Sequence, residues 1–111
     1  MAGKFEIYKD KAGEFRFRLK AGNGQNILAS EGYKKKPSAL NGIESVKKNA
    51  AEPKRFVSSQ TPGGKWRFVL TSTNGQTIGT SQSYADEAGC KKGMDSVAMT
   101  ATGATVDDQT S

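Results

Sequence analysis

The chain has no histidine and only one cysteine, and these shortages exclude several kinds of site. Histidine is the side chain best suited to acid–base catalysis near neutral pH and the commonest metal ligand. A single cysteine, Cys90, cannot build a disulfide framework within the chain and is typical of a protein kept in a reducing compartment. Histidine-based catalysis, histidine-based metal centres and disulfide scaffolds are therefore disfavoured, and we expect a cytoplasmic protein.

Long apolar runs are also absent. No stretch approaches the roughly 20 apolar residues that cross a bilayer, and the first residues lack the apolar core of a signal peptide. Hydrophobic residues make up 34% of the 111 residues and charged residues 25%, which is enough for a modest core. We therefore expect one compact domain over residues 1–111, monomeric and not associated with a membrane.

Acidic residues are scarce in the first half of the chain. Residues 1–51 hold 11 lysines and arginines against 5 aspartates and glutamates, whereas residues 52–111 hold 6 of each. The whole net charge of +6 therefore lies in the first half. Because an excess of positive charge attracts anions, we expect that, if the protein binds a nucleic acid or another polyanion, the contact lies on that half.

An internal repeat is the strongest pattern that the chain does contain. A shift of 51 residues aligns 5–50 with 56–101 without a gap, and 15 of the 46 aligned pairs are identical. We divide the domain into repeat 1 (4–51), repeat 2 (55–101) and a C-terminal tail (102–111) that could add a short strand. A unit of about 50 residues buries too little surface to be stable alone, so the two repeats should complete one pseudo-twofold core.

Each repeat is predicted to form three strands followed by a helix, which makes the fold class α+β. In repeat 1 the strands cover residues 5–8, 14–20 and 25–30, and the helix covers 37–50. Phe15 and Trp66 lie on the apolar side of the second strands, and we expect both rings to be buried together with Val46 and Val97. The helices should cover that apolar side of the sheet.

The predicted helices contain a glycine at the same point, Gly42 in repeat 1 and Gly93 in repeat 2. Since glycine is about 1 kcal/mol worse than alanine in a helix, its recurrence indicates close packing of the helix against the sheet. Asp86 is a plausible N-cap of the second helix. Cys90 falls on the apolar stripe of that helix, so we interpret it as a core residue and not as a nucleophile.

Three segments carry a resemblance to a known family: Phe-x-Ile-Tyr (5–8), Phe-Arg-Phe-Arg-Leu-Lys-Ala-Gly-Asn-Gly-Gln (15–25) and Gly-Ile-Glu-Ser-Val-Lys-Lys-Asn (42–49). Over about residues 4–101 the chain resembles the duplicated YegP-like proteins of bacteria. The resemblance implies tandem three-strand, helix, strand units that share one antiparallel sheet, with the last strand of a unit exchanged onto the other. It implies no activity and no site residues, because the function of that family is unknown.

Two polar turns are matched between the repeats and are candidate anion-binding sites. They are formed by Asn23, Gly24 and Gln25 and by Asn74, Gly75 and Gln76. Asn-Gly pairs favour tight hairpin turns, and hairpin geometry is the interpretation that we prefer. The alternative is that the backbone N–H groups of the turns cradle an anion.

Three basic side chains, Arg16, Arg18 and Lys20, share one face of the second strand and are called the basic strip. Arg67 continues the strip in repeat 2. Such a face could contact phosphates, but the aromatic rings that would stack on bases alternate to the other side of the sheet. A solvated surface with ion pairs, for example from Glu6 to Arg16 or Arg18, is the competing interpretation.

No pattern of an enzyme is present. The phosphate-binding glycine motifs do not occur, no residue spacing suggests a metal or cofactor site, and no nucleophile stands near a recognisable base. We therefore predict a small non-enzymatic binding or interaction module without a cofactor, whose partner is unknown. A nucleic-acid-associated protein that uses the basic strip is the alternative, and a small-molecule enzyme is the third hypothesis.

Overall fold

A computed structural model describes residues 3–110 of the chain. The strands are β1 (Lys4–Lys9), β2 (Phe15–Lys20), β3 (Asn26–Ala29), β4 (Phe56–Gln60), β5 (Trp66–Thr71), β6 (Thr77–Thr80) and β7 (Thr105–Asp108). The helices are α1 (Lys36–Asn49) and α2 (Glu87–Gly103), and a 3-10 turn, Pro53–Arg55, leads into β4. The order of elements is the one that the repeat predicts.

The strands described form one sheet in the order β4-β5-β6-β3-β2-β1-β7. Each repeat supplies three antiparallel strands, and the repeats meet where Ala29 of β3 pairs with Thr80 of β6. The α+β class and the shared sheet are therefore confirmed. The sheet is mixed because β7, which follows the helix of repeat 2, pairs in parallel with β1 of repeat 1. This is the exchanged strand that the family resemblance implies.

Both helices lie on one side of the sheet, here called the inner face, and the opposite side is called the outer face. The largest fully buried side chains from the strands are Phe5, Ile7, Phe17, Leu19, Leu28, Phe68 and Leu70. They pack with Ile43, Val46 and Val97 of the helices in a single cluster. Because side chains alternate along a strand, Glu6, Arg16, Arg18 and Lys20 are left on the outer face.

The prediction that Phe15 and Trp66 are buried is wrong in degree, because both rings are half-buried, whereas Val46 and Val97 are buried as expected. The two rings begin β2 and β5, at the end of the sheet. On one side they pair with Lys9 and Gln60, the last residues of β1 and β4. On the other side each has a single bridge, to Tyr33 and to Tyr84 respectively. Period-two alternation identifies the face of a side chain, but not how far the helices extend over it.

The glycines of the helices mark a close approach, as predicted. A Cβ atom on Gly42 would lie 2.7 Å from the hydroxyl oxygen of Tyr33 and 2.8 Å from the ring of Phe17, and a Cβ on Gly93 would lie 2.2 Å from the Tyr84 hydroxyl. The helix is thus held against a tyrosine that stacks on a core phenylalanine. The N-cap prediction is also confirmed, since the Gly89 N–H donates to Oδ1 of Asp86 at 2.7 Å.

Candidate functional site

The basic strip lies on the outer face of β2, and each of its groups is ion-paired. Nε of Arg16 donates to Oδ2 of Asp10 at 2.7 Å, and Nε of Arg18 donates to Oε1 of Glu6 at 2.6 Å. Nζ of Lys20 lies 3.4 Å from the same Glu6 oxygen. A nucleic-acid phosphate would have to compete with these carboxylates for the strip.

Glu6 is the centre of this cluster and is only 3% exposed. Its second oxygen lies 3.4 Å from Nζ of Lys4 and accepts a hydrogen bond from the side chain of Gln109 at 3.3 Å. The hydrogen bond from Arg18, together with Lys20, lowers the pKa of Glu6 from 4.5 to about 2 against the opposing effect of burial. The Arg18 guanidinium also lies 4.5 Å above the centre of the Tyr8 ring. The cluster thus joins Gln109, which directly follows β7, to β1 and β2.

Arg67, the counterpart of Arg16, is exposed on the outer face of β5 and has no ion pair within residues 3–110. The shift of 51 places Thr61 at the position of Asp10 and Val57 at the position of Glu6. The outer face of repeat 2 is therefore largely aliphatic and hydroxylic. Its other members are Val57, Ser59, Val69, Thr71, Thr77 and Thr80. The structure does not extend the basic strip as a charged surface across repeat 2.

The two matched turns have the predicted hairpin position and share one geometry. Gly24 and Gly75 adopt φ values of 86° and 85°, where a side chain would be strained. In the first turn Gly24 N–H donates to the carbonyl of Ala21 at 2.9 Å, and Gln25 N–H donates to Oδ1 of Asn23 at 3.0 Å. Gly75 and Gln76 repeat these bonds with Ser72 and Asn74. Anion binding stays a prediction, and these internal hydrogen bonds count against it.

Cys90 lies in the core, and burial raises the pKa of its thiol. This is the environment of a packing residue, because a nucleophilic cysteine needs its thiolate. No group of three histidine, cysteine, aspartate or glutamate residues that could hold a metal ion occurs within residues 3–110. None of the helices in that range is long and apolar enough to cross a membrane.

The two repeats differ in the exposure of their first strands, β1 and β4, which are equivalent under the shift of 51. Phe5 is 0% exposed and Glu6 3%, whereas Phe56 is half-buried and Val57 is 51% exposed. All of β4 after Phe56 is exposed. The cause is β7. It pairs with β1 along the edge that faces away from β2, whereas no strand within residues 3–110 pairs with β4 along the edge that faces away from β5.

A shallow apolar groove of about 250 Å³ adjoins this open edge. It lies between the beginning of β4, the segment after α1 and the side of α2. Its apolar walls are Ala50, Ala51, Pro53, Phe56, Met94 and Ala98. In repeat 1 the counterparts of Phe56 and Met94 are Phe5 and Ile43, and both are buried. The groove and the open edge form one continuous surface, here called the β4 edge site.

The β4 edge site is not among the sites that the sequence predicts. A signal was present, because the polar run Ser-Ser-Gln at 58–60 replaces Ile-Tyr-Lys at 7–9 in an otherwise matched repeat. Polar residues along β4 indicate that the helices cover the inner face of this strand less completely than that of β1. What the run could not reveal is that β7 covers only one of the two equivalent edges.

The chain matches a protein family in two places. The family is described as a domain of unknown function, DUF1508, and it matches residues 10–56 and 63–108. Each match begins before the second strand of a repeat and ends in the strand that follows its helix. The two matches agree with the internal repeat in number and length.

Named relatives and solved structures cover nearly the whole chain. The UPF0339 protein in the ptx operon 5′ region of Stutzerimonas stutzeri is 61% identical over 87% of this chain and 87% of its own length. The UPF0339 protein YegP of Escherichia coli K12 is 44% identical over 99% of this chain and 100% of its own. The solution structure of yegP from E. coli, a protein of unknown function, has a TM-score of 0.94 over 99% of this chain and 95% of that chain. The solution structure of UPF0339 protein SO3888 from Shewanella oneidensis has a TM-score of 0.93 at 41% identity, over 99% and 93% of the two chains.

Proposed function

The chain belongs to the DUF1508 family, and from that premise we propose that it is a non-enzymatic binding module that takes up an extended segment of a partner protein beside β4. The observation that carries the proposal is the difference between the two outer strands. Repeat 1 already binds such a segment, β7, on its outer edge. Repeat 2 presents the equivalent edge and an apolar groove, and no strand from residues 3–110 lies along them.

The backbone of β4 supports this mode of binding. The carbonyl of Gly3, just before β1, accepts a hydrogen bond from the N–H of Thr105 at 3.4 Å. The carbonyl of Ile7 in β1 accepts one from the N–H of Gln109, just after β7, at 2.8 Å. Since backbone groups alternate in direction along a strand, the equivalent groups of Ser58 should point away from β5 towards the open side. An extended peptide can form main-chain hydrogen bonds to such an edge and place alternate side chains into neighbouring pockets.

The competing hypotheses are less well supported by the side chains. The positive charge of the basic strip is already balanced in large part by Asp10 and Glu6, which weakens its attraction for a phosphate. The one thiol of the chain lies in the core with a raised pKa. The β4 edge site should need no rearrangement, because the walls of its groove are open and the backbone groups of Ser58 are expected to point away from β5.

The proposal can be tested with a displayed library of random ten-residue peptides selected on the full chain. We expect selected peptides to shift the backbone amide NMR signals of β4 and of the groove. Ser58→Pro should abolish binding, because proline removes the outward N–H while the ladder to β5 is kept. Ser58→Ala, which changes the side chain alone, should bind as the wild type does.

Circular dichroism would establish that Ser58→Pro is folded, and Val57→Lys, which puts a charge on the same edge, gives a second edge variant. The proposal is wrong if no peptide is selected, if selected peptides bind Ser58→Pro as well as the wild type, or if the shifted signals belong to the basic strip.

A further inference from the structure

The chain contains its own example of a strand bound to the outer edge of a repeat. β7 runs parallel to β1 and places Val106 opposite Phe5, Asp107 opposite Glu6 and Asp108 opposite Ile7. Three successive side chains therefore meet the inner face, the outer face and the inner face in turn. The shift of 51 residues converts the three partners on β1 into Phe56, Val57 and Ser58 on β4.

At the first of these positions the residue of the outermost repeat strand is a phenylalanine in both repeats, Phe5 in β1 and Phe56 in β4. A side chain opposite Phe56 lies on the inner face, beside the groove between β4 and α2. Its neighbour across the groove is Met94, which is half-buried where the equivalent Ile43 is 1% exposed. An aliphatic side chain in this position would remove apolar surface of both residues from water.

The second position is polar in repeat 1 and apolar in repeat 2. Asp107 lies beside Glu6 in the register of the two strands, and Lys4 bridges the two carboxylates, with Nζ 3.6 Å from Asp107 and 3.4 Å from Glu6. In repeat 2 the neighbour is Val57, which pairs with Val69 across the strands. The counterpart of Lys4 is Arg55, and Nε of Arg55 already donates to Oε2 of Glu52 at 3.0 Å. An aliphatic side chain suits this position better than an acidic one.

At the third position the charge of the neighbouring helix residue is reversed between the repeats. Asp108 forms an ion pair with Lys36, the first residue of α1. The residue at the same place on α2 is Glu87, which is exposed and follows the N-cap Asp86. An acidic side chain opposite Ser58 would meet two carboxylates, whereas a lysine or arginine would meet opposite charge.

We infer that the segment bound at the β4 edge site runs parallel to β4 and carries two successive aliphatic residues, opposite Phe56 and Val57, followed by a lysine or arginine opposite Ser58. The inference rests on the proposed function and adds the chemistry of the partner to it. It also explains why β7 of a second copy does not suit this edge, since its two aspartates would face Val57 and Glu87.

The inference can be tested with three synthetic peptides that are blocked at both ends and derived from β7. They are Ala-Thr-Val-Val-Lys-Gln-Thr, its variant with aspartate in place of lysine, and its variant with aspartate in place of the second valine. Titration into the isotope-labelled full chain should show the first peptide on β4. Each variant should bind roughly twofold to fivefold more weakly, because one favourable side-chain pair is lost.

Reversing the charge on the protein should reverse the preference at the third position. Glu87→Lys should bind the peptide with aspartate in place of lysine more tightly than the parent peptide. Glu44→Lys makes the same change of charge on the exposed face of α1 and should leave the order of affinities unchanged. Both residues are exposed, so both variants are expected to fold.

Equal affinities for the three peptides, or an unchanged order of affinities in Glu87→Lys, would overturn the inferred residue types of the bound segment. The proposal that a segment binds beside β4 would not be affected. The chemistry is also wrong if none of the three binds although library peptides do. Failure of the library and of the Ser58→Pro comparison would instead reject the proposed function. A concentration-dependent dimer that shifts the β4 signals would show that a second copy occupies the edge, and it would overturn the inference.

Discussion

A Cβ atom on Gly79 would lie 2.7 Å from Cδ2 of Leu28, so the side chain of one repeat fills the space that its counterpart in the other repeat leaves empty. Leu28 and Gly79 are equivalent under the shift of 51, and they lie on the two strands that meet at the pseudo-twofold axis. Two large side chains could not both occupy this position. Exact repetition is therefore broken where the repeats come closest.

We expect Gly79→Ala to destabilise the protein by about 1 to 3 kcal/mol, because the new methyl group overlaps the buried Leu28 side chain. Leu28→Ala alone should cost about 2 to 5 kcal/mol through the cavity that it leaves. The double variant should lose less than the sum of the two, since the methyl group of one fills part of the cavity of the other. Urea unfolding of the four proteins gives these values, and simple additivity would contradict the packing relationship.

The second prediction concerns acid stability and Glu6. Its pKa in the folded chain is about 2, below its ordinary value of 4.5, so its stabilising contribution is complete above about pH 4.5 and is lost as the pH falls towards 2. That contribution is on the order of 2 to 3 kcal/mol. Glu6→Gln should be less stable at neutral pH, and its stability should depend less on pH between 4.5 and 2.

Asp108→Asn is the control for Glu6, because the pKa of Asp108 is also lowered to about 2, chiefly by its hydrogen bond from Lys36. Its side chain is 42% exposed, so its loss should have a smaller effect. Thermal melts of the wild type, Glu6→Gln and Asp108→Asn between about pH 2 and pH 7 would measure both effects. Parallel pH profiles for wild type and Glu6→Gln would contradict the role given to Glu6.

The third prediction concerns the basic strip. Replacing Arg16, Arg18 and Lys20 together by glutamine should lower the melting temperature, because Glu6 then keeps a buried charge with fewer partners. It should not change the affinity for single-stranded DNA at low salt by more than a control of equal charge does, in which the exposed Lys34, Lys35 and Lys48 are replaced by glutamine. Fluorescence anisotropy measures this affinity. A specific loss of binding, with a shallower dependence on salt, would support the nucleic-acid hypothesis instead.

The sequence predicts those features that are local or repeated. Alternation along β2 identifies the faces of Phe17 and Arg18, the Asn-Gly pairs identify the turns, and the spacing of apolar residues identifies both helices. Periodicity alone does not predict which edge β7 joins, because a parallel neighbour depends on where α2 ends in space; the exchange onto repeat 1 is implied only by the family resemblance. For the same reason the difference in exposure between Glu6 and Val57, on which the β4 edge site depends, could not be read from periodicity.

The last prediction tests how much β7 stabilises the edge of β1. Binding beside β4 is inferred from this pairing. A chain that ends at Gly103 loses β7 and uncovers Phe5, Glu6 and Ile7, which the full chain keeps at 3% exposure or less. It should therefore be less stable than the full chain. A peptide of residues 104–110 added in trans should raise its melting temperature, since a ligand that binds only the folded state stabilises it. The same peptide should leave the full chain unchanged, because β1 is already covered and the β4 edge opposes both aspartates. A truncated chain that melts like the full chain would show that covering an outer edge contributes little, and the open edge of β4 would then offer little to a partner.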